Sequence, residues 1–427
     1  MTTFAVKFLG CKVSQADAML ARQALLEAGH VEAAEQEAEL HVVNTCCITR
    51  EAEAKSRQSV RRSLRSAGTV YATGCAANLS PRQFTELDAR VRALTGTAED
   101  VAASLAAEVG ACADLEHDVW AREDELSRSR TRGFVKVQDG CDCHCAYCII
   151  PTVRGGARSR PASAILQEVR RRVRRGQPEM VMTGISVGDY RDPERGLELG
   201  DLMVEVARVE GVERVRLSSV EVIHVRDSLL RALAGEPKVC PHLHIPLQSG
   251  DDAVLAAMGR HYTAEEYLER TAQLRAAVPS VNITTDVIVG FPTEDEAALQ
   301  RTLAALDAAG ITRVHTFSYS PRPGTAAAAL GDRVAPEEKK RRSQVVRGRS
   351  EVRSRHHRLA KLGGVEHVLV DKVAETRCSG YTPDYTRCYL PPGTARAGEI
   401  VAARCRELHA DGISCRLADD PALSSTA

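Results

Sequence analysis

The first hundred residues alternate short apolar runs with longer stretches in which apolar positions recur every three or four residues. The apolar runs predict three strands: TFAVKFLG, ELHVVNTC and TVYATGC. The stretches between them predict two helices: SQADAMLARQALLEAG, beginning at Ser14 and ending at Gly29, and EAEAKSRQSVRRSLRSAG, ending at Gly68. Strands that alternate with helices in this way predict a parallel α/β layer.

A cysteine follows each of these strands, at Cys11, Cys46 and Cys75. Ligands of open α/β sheets bind at the carboxyl ends of the strands, so we expect the three thiols to lie on one edge of one sheet. Buried thiols that only pack are the alternative. Cys47 points away from Cys46 in an extended backbone, and for this residue packing is expected.

A second and longer series of strands and helices follows. The strand candidates are GFVKVQDG, EMVMTG, VERVRLSSVE, HLHIPLQ, NITTDVIVG and TRVHTFSYS, with helical patterns between them. Six parallel strands with crossover helices predict either a doubly wound sheet or an incomplete β/α barrel. In a barrel the strand ends face the active site. Besides the cysteine loop after the first strand, those ends carry Thr183, Gly184, Ser218, Ser219, Glu221, Gln248, Asp286 and Tyr319.

The tail from about Val365 consists of short alternating runs separated by Gly and Pro, which predict a small β-barrel forming a separate domain. Its cysteines show no metal-ligand spacing, so packing is expected for Cys378, Cys388, Cys405 and Cys415. An acidic linker, Glu116–Arg130, leads into the central series.

Length and composition indicate an ordinary globular protein. The 427 residues allow two or three domains, and the chain is 44% hydrophobic and 27% charged. Nowhere does an apolar run approach the roughly 20 residues of a membrane span, and the N-terminus is too weakly apolar for a signal peptide. We therefore expect a cytoplasmic protein that does not associate with a membrane and whose thiols stay reduced.

The net charge is zero, but the charges are unevenly distributed. Ala98–Leu126 holds nine acidic residues and one basic, whereas Lys339–Lys361 holds ten Lys or Arg and one Glu. The basic run is explained either by a solvated helix face or by binding of a polyanion such as nucleic acid. The candidate contacts within it are Arg347, Arg349, Arg353 and Arg355.

Four cysteines occur in the stretch GCDCHCAYCIIP: Cys141, Cys143, Cys145 and Cys148. A disulfide knot conflicts with a reducing compartment. A closed zinc site requires four thiolates in a tetrahedral shell, and this spacing does not resemble the paired knuckles of structural zinc sites. The bis-cluster ferredoxin pattern C-x2-C-x2-C-x3-C is also absent.

Within that stretch Cys141, Cys145 and Cys148 follow C-x3-C-x2-C, with Cys143 as an additional thiol. Three thiolates on a four-iron cluster leave one iron open. That iron can chelate S-adenosylmethionine and reduce its sulfonium to give a 5′-deoxyadenosyl radical, which is the cofactor's own chemistry. Tyr147 would then lie along the adenine.

At these residues the sequence resembles the radical S-adenosylmethionine methylthiotransferases, over nearly the whole chain. The matching stretches are LGCKVSQ, NTCC, TGCAAN, VKVQDGCDCHCAYCIIP, RSRP, MTGISVGDY, RLSSVE, HLHIPLQSGDD, TTDVIVGFPTE, FSYSPRPGT and GYTPDYTRCYL. The departures from the family pattern are Ser14 for Asn, Asn78 for Gln, and the additional Cys47 and Cys143.

The resemblance implies two [4Fe-4S] clusters and S-adenosylmethionine as cofactors. Cys141, Cys145 and Cys148 would hold the radical-generating cluster, and Cys143 would be a spectator. Cys11, Cys46 and Cys75 would hold an auxiliary cluster that handles sulfur. The implied contacts to S-adenosylmethionine are Tyr147, Thr183, Gly184, Ser219, Glu221, Gln248 and Asp286. One molecule of S-adenosylmethionine would supply the methyl group and another the radical.

The family modifies isopentenyladenosine in tRNA, threonylcarbamoyladenosine in tRNA, or an aspartate of a ribosomal protein. LGCKV, VKVQDGC and RSRP most resemble the threonylcarbamoyladenosine branch, which acts on adenosine 37 beside the anticodon. Arg154, Arg158 and Arg160 are candidates to contact its carboxylate or the neighbouring phosphates. A non-enzymatic RNA-binding protein with structural metal is the alternative from a different class.

The resemblance also implies an organisation of the chain. We expect an N-terminal domain at 1–112, a radical S-adenosylmethionine core with a partial (β/α)6 barrel at 127–356, and a TRAM-like RNA-binding β-barrel at 360–421. The expected partner is tRNA and the expected state a monomer. The sequence identifies neither the sulfur donor nor the electron donor.

Overall fold

The structure is a computed structural model that describes residues 1–112 and 131–418. The predicted acidic linker Glu116–Arg130 lies outside the described residues, as does the part of the acidic run Ala98–Leu126 that follows Cys112. The first residues of that run form a helix, Ala98–Val109, which opens with a capping box between Thr97 and Asp100.

The N-terminal part is a five-stranded parallel sheet with helices, as the alternating pattern predicts. Its strands are β1 (Thr3–Phe8), β2 (Val31–Glu32), β3 (Leu40–Thr45), β4 (Thr69–Gly74) and β5 (Val91–Ala93). Its helices are α1 (Lys12–Glu27), α2 (Arg50–Ser63), α3 (Cys75–Leu79), α4 (Arg82–Thr85) and α5 (Ala98–Val109). The strand order is β2-β1-β3-β4-β5, so the three strands that precede cysteines are neighbours.

Helix α1 begins two residues earlier than the sequence pattern predicts. Cys11 occupies the N-cap position and Lys12 is the first helical residue, so Ser14 lies inside the helix rather than capping it. The turn before the helix requires a φ of +115° at Gly10, a conformation that L side chains rarely adopt. The prediction that Ser14 opens the helix is therefore wrong, and the reason is this glycine turn.

The central part contains two three-stranded parallel sheets. Its strands are β6 (Arg132–Lys136), β7 (Gln138–Asp139), β8 (Arg158–Ser159), β9 (Glu179–Thr183), β10 (Arg214–Leu217), β11 (His242–His244), β12 (Asn282–Val289) and β13 (Arg313–Ser318). Its helices are α6 (Ile150–Arg154), α7 (Ala162–Arg174), α8 (Leu199–Ala207), α9 (Asp227–Gly235), α10 (Asp252–Ala257), α11 (Ala264–Ala277), α12 (Glu296–Ala308) and α13 (Pro336–Leu359).

The two sheets, β10-β9-β6 and β11-β12-β13, follow one another in a six-strand arc. The amide of Val220, just beyond β10, donates to the carbonyl of His244 in β11 at 2.9 Å and joins them. The six predicted parallel strands are present, but GFVKVQDG divides into β6 and β7. The short strand β7 pairs antiparallel with β8, because the chain turns back after the cysteine loop.

Strand alternation gives the arc an apolar outer face and a polar concave face. Val135, Met180, Met182, Val215, Leu217, Leu243, Ile283 and Val287 belong to the core between strands and helices. The alternate positions form the concave face: Arg132, Phe134, Lys136, Glu179, Val181, Thr183, Arg214, Arg216, His242, His244, Thr284, Asp286, Arg313, His315 and Phe317. A concave face this rich in charge and imidazole is built for polar ligands.

The tail forms a closed five-stranded barrel, as predicted. Its strands are β14 (Val365–Ala374), β15 (Arg377–Tyr381), β16 (Arg387–Leu390), β17 (Ile400–His409) and β18 (Gly412–Leu417), in the order β14-β15-β16-β18-β17. All four tail cysteines are buried in its apolar core, where Cys405 and Cys415 are directly opposed across two strands. Their placement fits the expected packing role.

The loop between β15 and β16 docks this barrel onto the amino ends of the central strands. Arg216 donates to the carbonyls of Pro383 at 2.8 Å and Thr382 at 3.1 Å. The Asn282 amide donates to the carbonyl of Asp384 at 2.7 Å. Tyr385, with a φ of +69°, packs its ring 5.0 Å from that of His242. The tail barrel thus closes the lower end of the concave face.

No helix within the described ranges is long and apolar enough to cross a membrane.

Candidate functional site

The structure brings Cys11, Cys46 and Cys75, hereafter the N-terminal triad, to one edge of the N-terminal sheet. Cys46 follows the last residue of β3, and Cys75 follows the last residue of β4. These strands run in parallel register, with Thr45 opposite Gly74. The expectation that the carboxyl ends of three strands bring these thiols together is confirmed.

Close backbone packing fixes the positions of this triad. A Cβ added to Gly10 would lie 3.1 Å from the sulfur of Cys46, so only glycine allows the turn to pass this closely. The Ser56 hydroxyl accepts from the amide of Cys46 at 3.0 Å and donates to its carbonyl at 3.1 Å. Cys46 and Cys75 are buried, whereas Cys11 is exposed.

Ser14 and Asn78, the two residues near the N-terminal triad that depart from the family pattern, both contact other residues. The hydroxyl of Ser14 lies 3.7 Å from the sulfur of Cys11. The side-chain amide of Asn78 donates to the carbonyl of Val153 at 2.8 Å and to that of Gly96 at 3.0 Å. Asn78 therefore ties the N-terminal part to α6 of the central part.

Arg154 places its guanidinium against this triad. Its Nε donates to the sulfur of Cys75 at 3.2 Å. Burial raises the pKa of Cys75 to about 11, Arg154 acts in the opposite direction, and the Cys46 and Cys11 thiols raise the pKa further. The three thiols are thus close enough to influence one another, and a cation opposite Cys75 favours its thiolate.

The second group, Cys141, Cys145 and Cys148, is hereafter the loop triad. The amide of Cys141 donates to the carbonyl of Gly155 at 3.1 Å, and that of Ala146 to the carbonyl of Met258 at 2.8 Å. Gly140, with a φ of +72°, permits the first of these approaches, since a Cβ there would overlap the carbonyl oxygen of Gly156. The loop is therefore held from both sides.

Arg260 plays the same part for the loop triad that Arg154 plays for the N-terminal one. Its Nη1 donates to the sulfur of Cys145 at 3.1 Å and to Glu221 at 3.0 Å. Burial raises the pKa of Cys145, and Arg260 acts against this. Sequence reasoning missed Arg260, because nothing in the run MGRHYT signals a partner 115 residues away.

Cys143 lies between Cys141 and Glu221. Its sulfur is 3.9 Å from Glu221, and its amide donates to the sulfur of Cys141 at 3.4 Å. Hydrogen bonding from Cys143 lowers the pKa of Cys141 to about 7, against the effect of burial. Burial raises the pKa of Cys148 to about 12. Cys143 thus supports the thiolate of its neighbour.

Both triads border one apolar cluster between the N-terminal and central parts. The cluster contains Cys47, Cys75, Ala76, Ala77, Ile149, Ile150 and Val153, and Cys141 and Cys148 pack against it. Cys47 is fully buried there, in agreement with its expected packing role. Arg322, which follows β13, donates to the carbonyl of Cys47 and to Glu53 at 2.9 Å. These apolar side chains shield Cys75, Cys141 and Cys148 from water on the side that faces the cluster.

A buried network of four charges joins α1 to β6 and α6. Lys136 lies 2.9 Å from Asp17 and 3.1 Å from Asp139. Arg154 lies 2.8 Å from Asp17 and 3.0 Å from Asp139. The predicted RNA contact of Arg154 is therefore corrected: its side chain is only 7% exposed and is committed to this network and to Cys75.

Neighbouring arginines remain closer to the surface. Arg160 is held by Glu168 at 2.8 Å. Arg158 is exposed, and among the described residues its guanidinium donates only to the carbonyls of Gly156 and Arg154. A cavity of about 310 Å³ opens beside Cys75, with Asn78, Arg154 and Arg158 among its lining residues.

Polar residues at the strand ends surround the loop triad. Thr183 ends β9, and a Cβ on Gly184 would lie 2.9 Å from the carbonyl oxygen of Gln138. Gln248 has a φ of +64°, and its backbone amide donates to the backbone carbonyl of Asp286 at 2.9 Å. The Asp286 carboxylate lies 3.1 Å from His244.

One predicted member of this polar ring, Tyr319, faces elsewhere. The hydroxyl of Tyr319 donates to the carbonyl of Ala327 at 2.9 Å, and its ring packs in an apolar cluster with Met258 and Phe291. Its place in the ring is therefore corrected, because the chain turns into the core after β13. Tyr147 packs against the same cluster. Ser219 is partly buried beside Glu221, whereas the Ser218 hydroxyl has no hydrogen-bond partner within the described ranges.

The basic run forms helix α13, which packs on β13. Arg349 and Arg353 both pair with Asp307 of α12, at 3.2 Å and 3.1 Å. Arg347 and Arg355 are exposed. Half of the four candidate RNA contacts therefore hold the helix in place, and the other half face solvent.

The donor sets fit two iron–sulfur clusters. Within residues 1–112 and 131–418, no three His, Cys, Asp or Glu side chains converge closely enough to hold a single metal ion. In a four-iron cluster each thiolate binds a different iron, so the ligands stand further apart than around one ion. Each triad also has one guanidinium against one thiol, which suits an anionic cluster.

Comparisons with known proteins agree with this geometry. Residues 135–306 match the Radical SAM superfamily, and residues 3–96 match the Uncharacterized protein family UPF0004. A Thermotoga maritima protein named threonylcarbamoyladenosine tRNA methylthiotransferase MtaB is 34% identical over 97% of this chain and 97% of its own length. A Koribacter versatilis protein named tRNA-2-methylthio-N(6)-dimethylallyladenosine synthase is 33% identical over 88% of both chains.

Among solved structures, the radical S-adenosylmethionine methyltransferase TsrM from Kitasatospora setae, with cobalamin and a [4Fe-4S] cluster bound, has a TM-score of 0.58. It is 14% identical and covers 79% of this chain and 80% of its own, which shows a shared fold. The fold, the two triads and a sequence similarity that extends over nearly the full length together establish that this chain belongs to the radical S-adenosylmethionine methylthiotransferase family.

Proposed function

We propose that this enzyme replaces the C2 hydrogen of N6-threonylcarbamoyladenosine, at position 37 of tRNA, with a methylthio group. One observation carries the proposal: two cysteine triads, each with a guanidinium against one thiol, border the same apolar cluster. An aromatic C–H bond has no acidic proton for a general base to remove. Two cofactor sites side by side suit a reaction that both removes this hydrogen and delivers sulfur.

Cys141, Cys145 and Cys148 would hold the cluster that binds S-adenosylmethionine, and Cys11, Cys46 and Cys75 the auxiliary cluster. Bound there, these groups would supply the radical and the methylthio group. The protein's own part is to position and shield them. Arg154 and Arg260 stabilise negative charge on the thiolates, and the shared apolar cluster keeps water away.

S-adenosylmethionine would lie across the strand ends beside the loop triad. Its proposed contacts are Tyr147, Thr183, Gly184, Ser219, Glu221, Gln248 and Asp286. Gly184 would contact the ligand through its backbone, since a Cβ there would lie 2.9 Å from the carbonyl oxygen of Gln138. Asp286 and Glu221 are carboxylates that suit the amino group or the ribose hydroxyls of the ligand.

The proposed partner is tRNA, which would bind to the outer surface of the protein through a TRAM-like tail barrel at 360–421. The other proposed domains are a core at 127–356 and an N-terminal domain at 1–112. The proposed state of the protein is a monomer in the cytoplasm. Exposed Arg347 and Arg355 suit the phosphate backbone, and Arg158 lines the cavity near Cys75. Arg160, two residues further along, is the remaining candidate. Arg349 and Arg353 would contribute less, since both pair with Asp307.

The branch follows from the relatives and from the charge of the substituent. Proteins named for threonylcarbamoyladenosine from Thermotoga maritima and Bacillus subtilis are 34% and 32% identical over 97% and 95% of this chain. Those named for dimethylallyladenosine reach similar identity over 86–92%. Isopentenyladenosine and a ribosomal-protein aspartate are the alternative substrates.

Mass spectrometry of tRNA nucleosides tests the proposal. Cells without this protein should lose 2-methylthio-threonylcarbamoyladenosine and accumulate its precursor, with isopentenyl nucleosides unchanged. Loss of the methylthio group from the isopentenyl nucleoside would assign the other tRNA branch. Unchanged tRNA would point to the protein substrate or to a non-enzymatic role.

A further inference from the structure

Lys12 is a cation without an anionic partner at the lower end of the concave face. It is the first residue of α1 and directly follows Cys11. Its ammonium lies 5.9 Å from the centre of the Tyr385 ring. It has no hydrogen bond or ion pair with any residue in 1–112 or 131–418, and its side chain is only partly exposed.

Each of the other cations around Tyr385 has a carboxylate within ion-pair distance. Arg216 binds Glu179 at 2.9 Å, and Arg132 lies 3.4 Å from Asp371. Arg214 lies 3.9 Å from the same Glu179 and donates to two backbone carbonyls. Arg132, Arg214, Arg216 and Lys12 therefore share two carboxylates. Two positive charges are therefore in surplus, and Lys12 is the one of these four cations with no carboxylate within ion-pair distance. A partly buried cation of this kind is stabilised by an anionic ligand.

The β13 edge of the concave face is accessible to solvent. Arg313, His315 and Phe317 alternate onto the concave face from β13, the last strand of the arc, and all three are exposed. Tyr385 closes the lower end, and the loop triad lies at the upper end. Lys12 directly follows Cys11, so a group that contacts its ammonium would also lie near the N-terminal triad.

We propose that Lys12 is the specificity-determining residue that binds the carboxylate of the threonylcarbamoyl substituent. The inference rests on the proposed function. With the adenine beside the triads, its N6 substituent extends down the concave face and ends in a carboxylate, which Lys12 neutralises. An isopentenyl group carries no charge and would leave the ammonium unpaired, so the same lysine disfavours that substrate.

The arginines near the cavity are less suited to this role. Arg154 is buried in the charge network and Arg160 is held by Glu168. Arg158 lies on the outer side of the N-terminal triad, beside the cavity at Cys75. Lys12 alone among these cations combines an unpaired ammonium with a position on the concave face.

The test compares anticodon stem-loop RNAs that carry adenosine, threonylcarbamoyladenosine, or its neutral carboxamide at position 37. Affinities for the reconstituted enzyme are measured by fluorescence anisotropy. The wild type should bind the carboxylate about tenfold to a hundredfold more tightly than the carboxamide, as expected for a charge-assisted hydrogen bond. In Lys12→Met this ratio should fall to about one, with affinity for the adenosine RNA unchanged. Lys12→Arg should restore most of the ratio.

Two controls separate this role from a structural one. Because Lys12 adjoins Cys11, iron content and cleavage of S-adenosylmethionine without RNA must match the wild type. Lys55 lies on the exposed face of α2, where it pairs with Glu51, and Lys55→Met should leave every affinity unchanged. A Lys12→Met enzyme that keeps the wild-type ratio overturns the inference while the proposed function stands. A wild type that methylthiolates only isopentenyladenosine RNA overturns both.

Discussion

Arg154 offers a sharp test of how the two halves of the site are held together. Its guanidinium uses three nitrogens on three partners: Nε on Cys75, Nη1 on Asp139 and Nη2 on Asp17. Removing one member of a buried ion pair costs about 3–5 kcal/mol. Lys136 remains beside both carboxylates in an Arg154→Met variant, so we expect the lower value, about 3 kcal/mol.

This loss should appear as local opening rather than global unfolding, because the network joins α1 to the central part. A cost of about 3 kcal/mol accelerates amide exchange roughly a hundredfold where exchange requires that opening. Hydrogen–deuterium exchange of peptides covering α1, together with iron content, measures the effect. Arg154→Lys should be intermediate, since one ammonium cannot reach three separate partners.

Arg158→Met is the matched control, because Arg158 lies four residues away and donates only to backbone carbonyls. In the Arg158→Met variant, the amides of the α1 peptides should exchange at the wild-type rate. If the α1 peptides of Arg154→Met also exchanged at the wild-type rate and iron content were unchanged, the network would not hold the two parts together. The argument from buried charge would then be refuted.

Four further outcomes are expected. Anaerobically reconstituted protein should bind about eight irons, and alanine at all three positions of the N-terminal triad should retain about half of them and still cleave S-adenosylmethionine. Cys145→Ala should abolish that cleavage, whereas Cys143→Ala should leave most of it; the reverse result would reassign the loop ligands. Glutamate at Arg347 and Arg355 should weaken tRNA binding and flatten its salt dependence by about two charges, while cleavage without tRNA persists; unchanged affinity would leave α13 a solvated helix. Burial opposes the ionisation of Asp384, but His357 and Lys361 hold its pKa below the ordinary range. The carboxylate therefore stabilises the docked tail barrel at neutral pH, and this contribution is lost as the pH falls below about 4. Asp384→Asn should make the tail more sensitive to limited proteolysis at pH 7, and equal cleavage rates would contradict this.

The sequence by itself determined which thiols could act together within each triad. Cys46 and Cys75 follow apolar runs whose strand character is encoded locally, and parallel pairing then places strand ends on one edge. The loop triad lies within eight residues, so its members are close in any fold. The three-part organisation also follows from patterns that each segment carries in its own residues.

Only the tertiary structure decided what surrounds those thiols. Arg154 reaches Asp17 across 137 residues, and Arg260 reaches Cys145 across 115. Lys12 is a candidate to bind a substrate carboxylate because of its neighbours, Tyr385 and the arginines around it, which come from other elements of the fold. The physical reason is that periodicity and spacing describe neighbours within one element. A buried ion pair depends on how separate elements pack, and that packing is fixed by the whole core.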